Sequence, residues 1–175
     1  MRMKKIFLLG YMGSGKSTIA QKLSQLTGMD QIDLDDYIEN MEQKSINSIF
    51  QEKGAIYFRK IERTYLTDLA ESSTYQIISL GGGTPCYYNN MEYLNQLGHI
   101  TIYLQASIPS LTSRLYEEMN KRPLLSSISD KNELMEFIGK HLFERRQYYS
   151  KAKHQINTDN KTIDDISREI VALLF

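Results

Sequence analysis

Residues 10–18 read GYMGSGKST, directly after the apolar run Ile6-Phe7-Leu8-Leu9 and just before Ile19, Leu23 and Leu26, which recur at helical spacing. A glycine-rich loop spaced Gly-x-x-x-x-Gly-Lys-Ser between a buried strand and a helix constrains the fold more tightly than any other feature of the chain. Its glycines let the backbone curl so that successive N–H groups point inward. The helix starting near Lys16 adds its positive end. The product is a cradle for the phosphates of a nucleotide. Lys16 is placed to reach the β and γ oxygens, and Ser17 to offer a hydroxyl to Mg²⁺. Gly13, Ser14, Gly15, Lys16, Ser17 and Thr18 are the nucleotide-binding residues this loop predicts. It specifies ATP or GTP with Mg²⁺ and leaves the phosphoryl acceptor open.

The rest of the chain alternates short apolar runs with helical patterns. Strands are expected at 4–9, at 31–33, at 75–80 (YQIISL), at 99–105 (HITIYLQ) and at 154–157. Between them, helices are expected at 16–26, 36–43, 46–53, 55–72, 91–97, 109–119 and 133–149, with a last one at 162–174. In the longest, Phe58, Ile61, Tyr65 and Leu69 share a face. Gly98 reads as a C-terminal stop, Pro109 suits a first turn, and Thr162 with Asp165 offers an N-terminal cap. Strand and helix alternating in this way argue for an α/β fold, a parallel sheet covered on both faces. The polar stretch 120–130 breaks the pattern and reads as a mobile flap.

At 175 residues the chain fits one domain, 1–175, large enough to bury its own core. Lys plus Arg and Asp plus Glu number 21 each, which gives no support to a nucleic-acid or acidic-lipid surface. Cys86 stands alone, without a disulfide partner, and is read as a small, partly buried side chain. His99, His141 and His154 lack metal-ligand spacing. The opening MRMKKIFLLG resembles the start of a signal peptide, but its apolar part is too short, and no run is long enough to span a bilayer. A cytoplasmic location and a monomer are expected.

Several nucleotide-enzyme classes are disfavoured. DNKT at 159–162 lacks the fourth-position Asp of a guanine-reading motif, and the strand IISL runs into glycines without the terminal acid of a motor ATPase. IDLDDYIE places Asp33 and Asp35 two apart. Read as strand residues, both face one cleft, one holding Mg²⁺-bound water and the other accepting from a hydroxyl. Read as helix entry, they are N-terminal capping carboxylates, the reading preferred for Asp36. Arg59 in FRKIE is either a surface residue or a ligand on a helix whose other face is apolar. Gly81-Gly82-Gly83 is either a plain turn or a place for close backbone approach to a ligand. Arg122 in KRPLL lies in the flap, within reach of a γ-phosphate on closure. Arg145 and Arg146 suit the end of a helix.

In this order the motifs GYMGSGKST, IDLDDYIE, FRKIE, IISLGGGTP, RPLL and Arg145-x-x-x-Tyr149 resemble the shikimate kinase family over nearly the whole chain. The resemblance implies a three-layer P-loop NTPase fold with a five-stranded parallel sheet, substrate-binding helices at about 33–61 and a mobile lid at about 112–128. It implies ATP-dependent phosphorylation of the 3-hydroxyl of shikimate, on the route to chorismate and the aromatic amino acids, with ATP and Mg²⁺ required. By position, Asp35 would bind the shikimate hydroxyls, Arg59 and Arg145 its carboxylate, and Gly81, Gly82 and Gly83 would lie against its ring. Ser17 and Asp33 would serve the metal, Arg122 would be the lid arginine and Arg114 would flank adenine. Lys16, Asp35 and Arg122 would carry catalysis. A planar carboxylate suits arginine forks, and hydroxyls suit an Asp acceptor. The chain departs from the family at 156–164, where only Asn160 and Lys161 stand in place of an arginine and a proline beside adenine; Arg146 has no matching place. Two alternatives follow from the loop alone: another small-molecule kinase of this fold, acting on gluconate or a nucleoside monophosphate, or a non-catalytic nucleotide-binding module.

Overall fold

A computed structural model describes residues 4–174, without the side chains of Asn120 and Pro123. The first three residues of the signal-like opening, and the side chain of the proline of RPLL, therefore lie outside what is described. The strand β1 (Ile6–Leu9) leads through the glycine loop into helix α1 (Lys16–Thr27), and β2 (Gln31–Asp33) runs straight into α2 (Leu34–Glu42). Helix α3 (Ile46–Glu71) follows, then β3 (Ile77–Ser79), α4 (Asn90–Gln96), β4 (Ile100–Gln105) and α5 (Ile108–Glu118). The chain closes with α6 (Lys131–Tyr149), β5 (His154–Asn157) and α7 (Ile163–Leu174). The strands form one sheet in the order β2-β3-β1-β4-β5, with every pairing parallel. The expected α/β fold with a five-stranded parallel sheet is the one observed.

Parallel strands flanked by helices are buried on both sides and read as continuous apolar runs, and β1 is buried at all its residues. Alternate residues then serve opposite layers. Phe7 and Leu9 pack with Leu34, Ile38, Phe58, Leu66, Ile78 and Leu142, under α2, α3 and α6. Ile6 and Leu8 pack with Ile19, Leu23, Ile102, Ile156, Ile166 and Ile170, under α1 and α7.

The two helices expected on either side of Gly54 are observed: within Ile46–Glu71, Gly54 takes φ 79° and ψ 173°, a non-helical conformation that divides the element in two, and only glycine reaches it at little cost. One local feature differs from the sequence reading. The polar stretch after α5 is not featureless. Two short 3₁₀ turns, Met119–Lys121 and Pro123–Leu125, lie within it, and Leu125 and Ile128 are buried. Of the segment 112–128 expected as the lid, the first part belongs to α5, where Thr112 and Leu115 are buried.

Candidate functional site

The carboxyl ends of the strands open into a cavity of about 620 Å³ lined by the glycine loop, Asp33, Asp35, Gly81, Gly82, Arg114, Arg122 and Lys161. That is the crevice where open parallel sheets bind ligands. The loop leaves β1 at Gly10 with φ 151°, and a Cβ there would stand 2.7 Å from the Leu104 carbonyl oxygen, so no other residue fits. Lys16 folds back inside the loop. Its Nζ donates to the carbonyl oxygens of Gly10 at 2.9 Å and Tyr11 at 3.0 Å, which pre-forms the curve. Gly13, Ser14, Gly15, Ser17 and Thr18 line the same cavity. Among the described residues the buried Ser14 hydroxyl oxygen inside the loop has no hydrogen-bond partner. The loop residues predicted from sequence are thus all brought together.

The acidic pair reaches the cavity by the helix-entry geometry rather than as two strand residues. The strand ends at Asp33, which caps α2 by accepting the Asp35 N–H at 2.9 Å. Asp35 and Asp36 fill the first turn, where the helix dipole favours negative charge. Asp33 keeps its other oxygen for Ser17, whose hydroxyl donates to it at 3.2 Å. Capping therefore accounts for Asp33 and still leaves both Asp33 and Asp35 lining the cavity. Asp36 is exposed and is not among the described residues that line the cavity.

The triple glycine is a meeting point. A Cβ on Gly81 would meet Asp35 Oδ1 at 3.2 Å, one on Gly82 would meet Arg145 Nη1 at 3.2 Å, and one on Gly83 would meet Arg59 Nη2 at 2.5 Å. Each glycine admits one charged side chain from a different helix, so the run is more than a plain turn. Arg145 is seated by its own helix. Tyr149, one turn on, donates its hydroxyl to the Gly82 carbonyl at 2.5 Å, and the Arg145 guanidinium lies 5.6 Å from the Tyr11 ring centre.

Glu62 was missed by sequence reasoning. Only 1% exposed, it accepts from Arg59 Nη1 at 2.8 Å and from the Thr84 hydroxyl at 2.8 Å, tying α3 to the residue after the triple glycine. The signal was there to use: Glu62 falls in the buried stripe Phe58, Glu62, Leu66, Leu69 of α3, and a carboxylate in an apolar stripe needs a buried partner.

On the opposite wall Arg114 Nη1 donates to the Gly13 carbonyl at 3.1 Å, bracing the loop from α5. Arg122 lines the cavity and pairs with Glu118, Nη2 to Oε2 at 2.7 Å. Beyond Arg114 the cavity ends on Thr158, Lys161, Ile163 and Ile166. Lys161 is paired with Glu169 at 2.6 Å. Arg146 is not among the described residues that line the cavity.

The electrostatics divide the cavity. Burial pushes the Asp35 carboxyl up to about 7, aided by the negative charges of Asp33 and Glu62 and opposed by Lys16 and Arg59. Burial lowers the Lys16 ammonium to about 8, against the pull of Asp33 and Asp35. Asp35 and Lys16 line the same cavity and both are displaced toward neutrality, the pattern of a candidate reaction site.

Comparison with known proteins bears on this arrangement. The sequence model of the shikimate kinase family matches residues 12–175. The shikimate kinase of Flavobacterium johnsoniae is 49% identical over 172 residues, covering 98% of this chain and 99% of that protein. The crystal structure of shikimate kinase from Bacteroides thetaiotaomicron superposes with a TM-score of 0.89 at 36% identity, over 99% of each chain. That of shikimate kinase from Acinetobacter baumannii in complex with shikimate gives 0.84 at 29% identity, over 98% of this chain and 93% of that one. With a family match across nearly its whole length and relatives covered from end to end, this chain belongs to the shikimate kinase family.

Proposed function

We propose that the protein transfers the γ-phosphoryl group of ATP to the 3-hydroxyl of shikimate, giving shikimate 3-phosphate and ADP. Family membership carries the reaction. One observation carries its placement: three charged side chains, Asp35, Arg145 and Arg59, each pressed against one glycine of the Gly81–Gly83 run, beside the phosphate loop. Two guanidinium forks and one carboxyl acceptor match a substrate with one carboxylate and several hydroxyls.

In this reading Arg59 and Arg145 hold the carboxylate and Gly81–Gly83 allow the ring to lie against backbone. Asp35 receives the hydroxyls. As the 3-oxygen forms its bond to the γ-phosphorus and the bond from phosphorus to the ADP oxygen breaks, the hydroxyl proton passes to Asp35. A carboxyl near neutrality suits that exchange. Phosphoryl transfer needs positioning and charge neutralisation more than covalent help. Lys16 supplies positive charge from the loop and Arg122 from the lid. Arg122 must leave Glu118 to do so, and an exposed pair of this kind costs only about 0–1 kcal/mol to break. Arg114 flanks adenine, and closure of the lid segment after α5 keeps water from becoming the acceptor.

Ser17 and Asp33 fit Mg²⁺, since their oxygens stand 3.2 Å apart at the cavity wall and both are hard donors. When bound there with the nucleotide, Mg²⁺ neutralises phosphate charge. We further place the protein in the cytoplasm as a monomer; among the described residues no helix is long and apolar enough to cross a membrane.

The test is a comparison of affinities. Arg59→Ala and Arg145→Ala each weaken shikimate binding at least tenfold, the order of a lost charge-assisted hydrogen-bonding fork, and leave ATP binding near its original value. Equal loss of both affinities contradicts the assigned roles.

A further inference from the structure

The acceptor arginine Arg59 is held on more than one side. Glu62 fixes one end of the guanidinium at 2.8 Å. The Phe58 ring lies 5.1 Å from its central carbon, and the Tyr87 ring lies closer, at 4.2 Å. Tyr87 sits on the segment between the triple glycine and α4, outside every motif that marks the family in this sequence. It is 44% exposed. An aromatic ring half in water and face-on to a cation is not accounted for by core packing.

The backbone around it is arranged to keep it there. Tyr88 and Asn89, both non-glycine, take left-handed conformations in succession, with φ 50° and 52°. Asn tolerates that region; a tyrosine rarely adopts it. Asn90 is fully buried and pins the far end of the turn. Its amide donates to the Thr84 carbonyl at 2.8 Å, and its side-chain oxygen accepts from Arg63 at 2.9 Å. The segment from Thr84 to Asn90 is thus closed on itself across an unfavourable turn, and Tyr87, one of its exposed residues, is laid over Arg59. Local strain maintained by surrounding bonds points to a role for what it positions.

We propose that Tyr87 is a positioning residue for Arg59: its ring covers one face of the guanidinium, fixes the plane of the fork and excludes water from it. This rests on Arg59 gripping the substrate carboxylate. The ring face sets orientation; the hydroxyl does not enter. A flat cation held in plane offers both N–H groups of its fork together, so the effect falls on substrate affinity and not on the phosphoryl step.

The experiment is a double-mutant cycle read as KM for shikimate, KM for ATP and kcat. Tyr87→Ala is expected to raise KM for shikimate about two- to fivefold, the range for a half-exposed cation–π contact, with kcat and KM for ATP unchanged. Tyr87→Phe and Tyr87→Trp retain the original KM. Because the chain contains no tryptophan, Tyr87→Trp also reports shikimate binding directly through its own fluorescence. In an Arg59→Ala background, Tyr87→Ala adds nothing. The proposal is overturned if Tyr87→Ala leaves KM for shikimate unchanged while Arg59→Ala raises it, a result that keeps the role of Arg59. It is also overturned if the two substitutions are additive, or if Tyr87→Phe is as damaging as Tyr87→Ala. If Arg59→Ala itself leaves KM for shikimate unchanged, the role of Arg59 and that of Tyr87 fall together.

Discussion

In the proposed reaction Asp35 exchanges stability for reactivity, and Asp35→Asn separates the two. Its carboxyl is pushed from 3.8 to about 7, first by burial and then by Asp33 and Glu62. That displacement corresponds to about 4 kcal/mol of penalty on the ionised form in the folded protein. Because the folded value lies above the unfolded one, the penalty is absent below pH about 4, where the group is protonated in both states. It grows between 4 and 7 and is complete above 7. The amide carries no charge and escapes it. Water enters an open cavity and screens part of the effect, so a gain of about 2 kcal/mol is expected at pH 8. For a chain of this size that is a rise in Tm of about 4–8 °C. The assay is thermal unfolding of the ligand-free protein and the variant at pH 8 and pH 4, beside turnover at pH 8. The variant should be the more stable at pH 8, match the parent at pH 4 and lose most of its activity. Equal stability at both pH values, or a variant that is less stable at pH 8, refutes the electrostatic account of Asp35. Full activity removes it from the mechanism.

Other outcomes follow from the same geometry. Lys16, lowered to about 8 by burial, loses its charge as pH rises through that value in the free enzyme, and bound phosphates restore it. ATP binding at pH 9 should therefore take up close to one proton and at pH 7 almost none, as read by calorimetry in buffers of different ionisation heat; absence of uptake at pH 9 contradicts the reading. Gly83→Ala would put a methyl 2.5 Å from Arg59 Nη2. The side chain can swing away, so the fold survives while KM for shikimate rises about tenfold and KM for ATP stays constant; an unchanged KM for shikimate would show that the fork is not in use there. Glu62→Ala leaves Arg59 and Thr84 without their buried acceptor and should cost about 3 kcal/mol in urea unfolding. A loss below about 1 kcal/mol would mean that the Glu62 bonds are not maintained in solution.

Most of the fold is legible in the sequence because its period is unambiguous. β1 is a continuous apolar run, β4 (ITIYLQ) is apolar but for Thr101 and Gln105, and α7 carries Ile166 and Ile170 on one buried stripe. The phosphate loop is legible because its spacing, its flanking strand and its helix agree. What stayed out of reach depends on tertiary contact. Whether Asp33 and Asp35 belong to a strand or a helix entry turns on where β2 stops, and a three-residue strand leaves no periodicity to read. Gly54, by contrast, is legible as a boundary, and its non-helical backbone divides the helical segment there, with Ile49 and Phe58 on either side packed on the same core. Glu62 is legible as a carboxylate in an apolar stripe, but its partners Arg59 and Thr84 are fixed only by the tertiary fold. Tyr87 could not be found at all, since its partner Arg59 lies on another element and no spacing rule links the two.

The central claim is that the phosphoryl group leaving this loop goes to shikimate, and a coupled assay of ADP release tests it most directly. Purified protein is given Mg-ATP with shikimate present or withheld. The account predicts ADP release that depends on shikimate and stands well above the background without it. ATP binding with no shikimate-dependent release would contradict the account, leaving a phosphate cradle whose acceptor is another hydroxy acid or none.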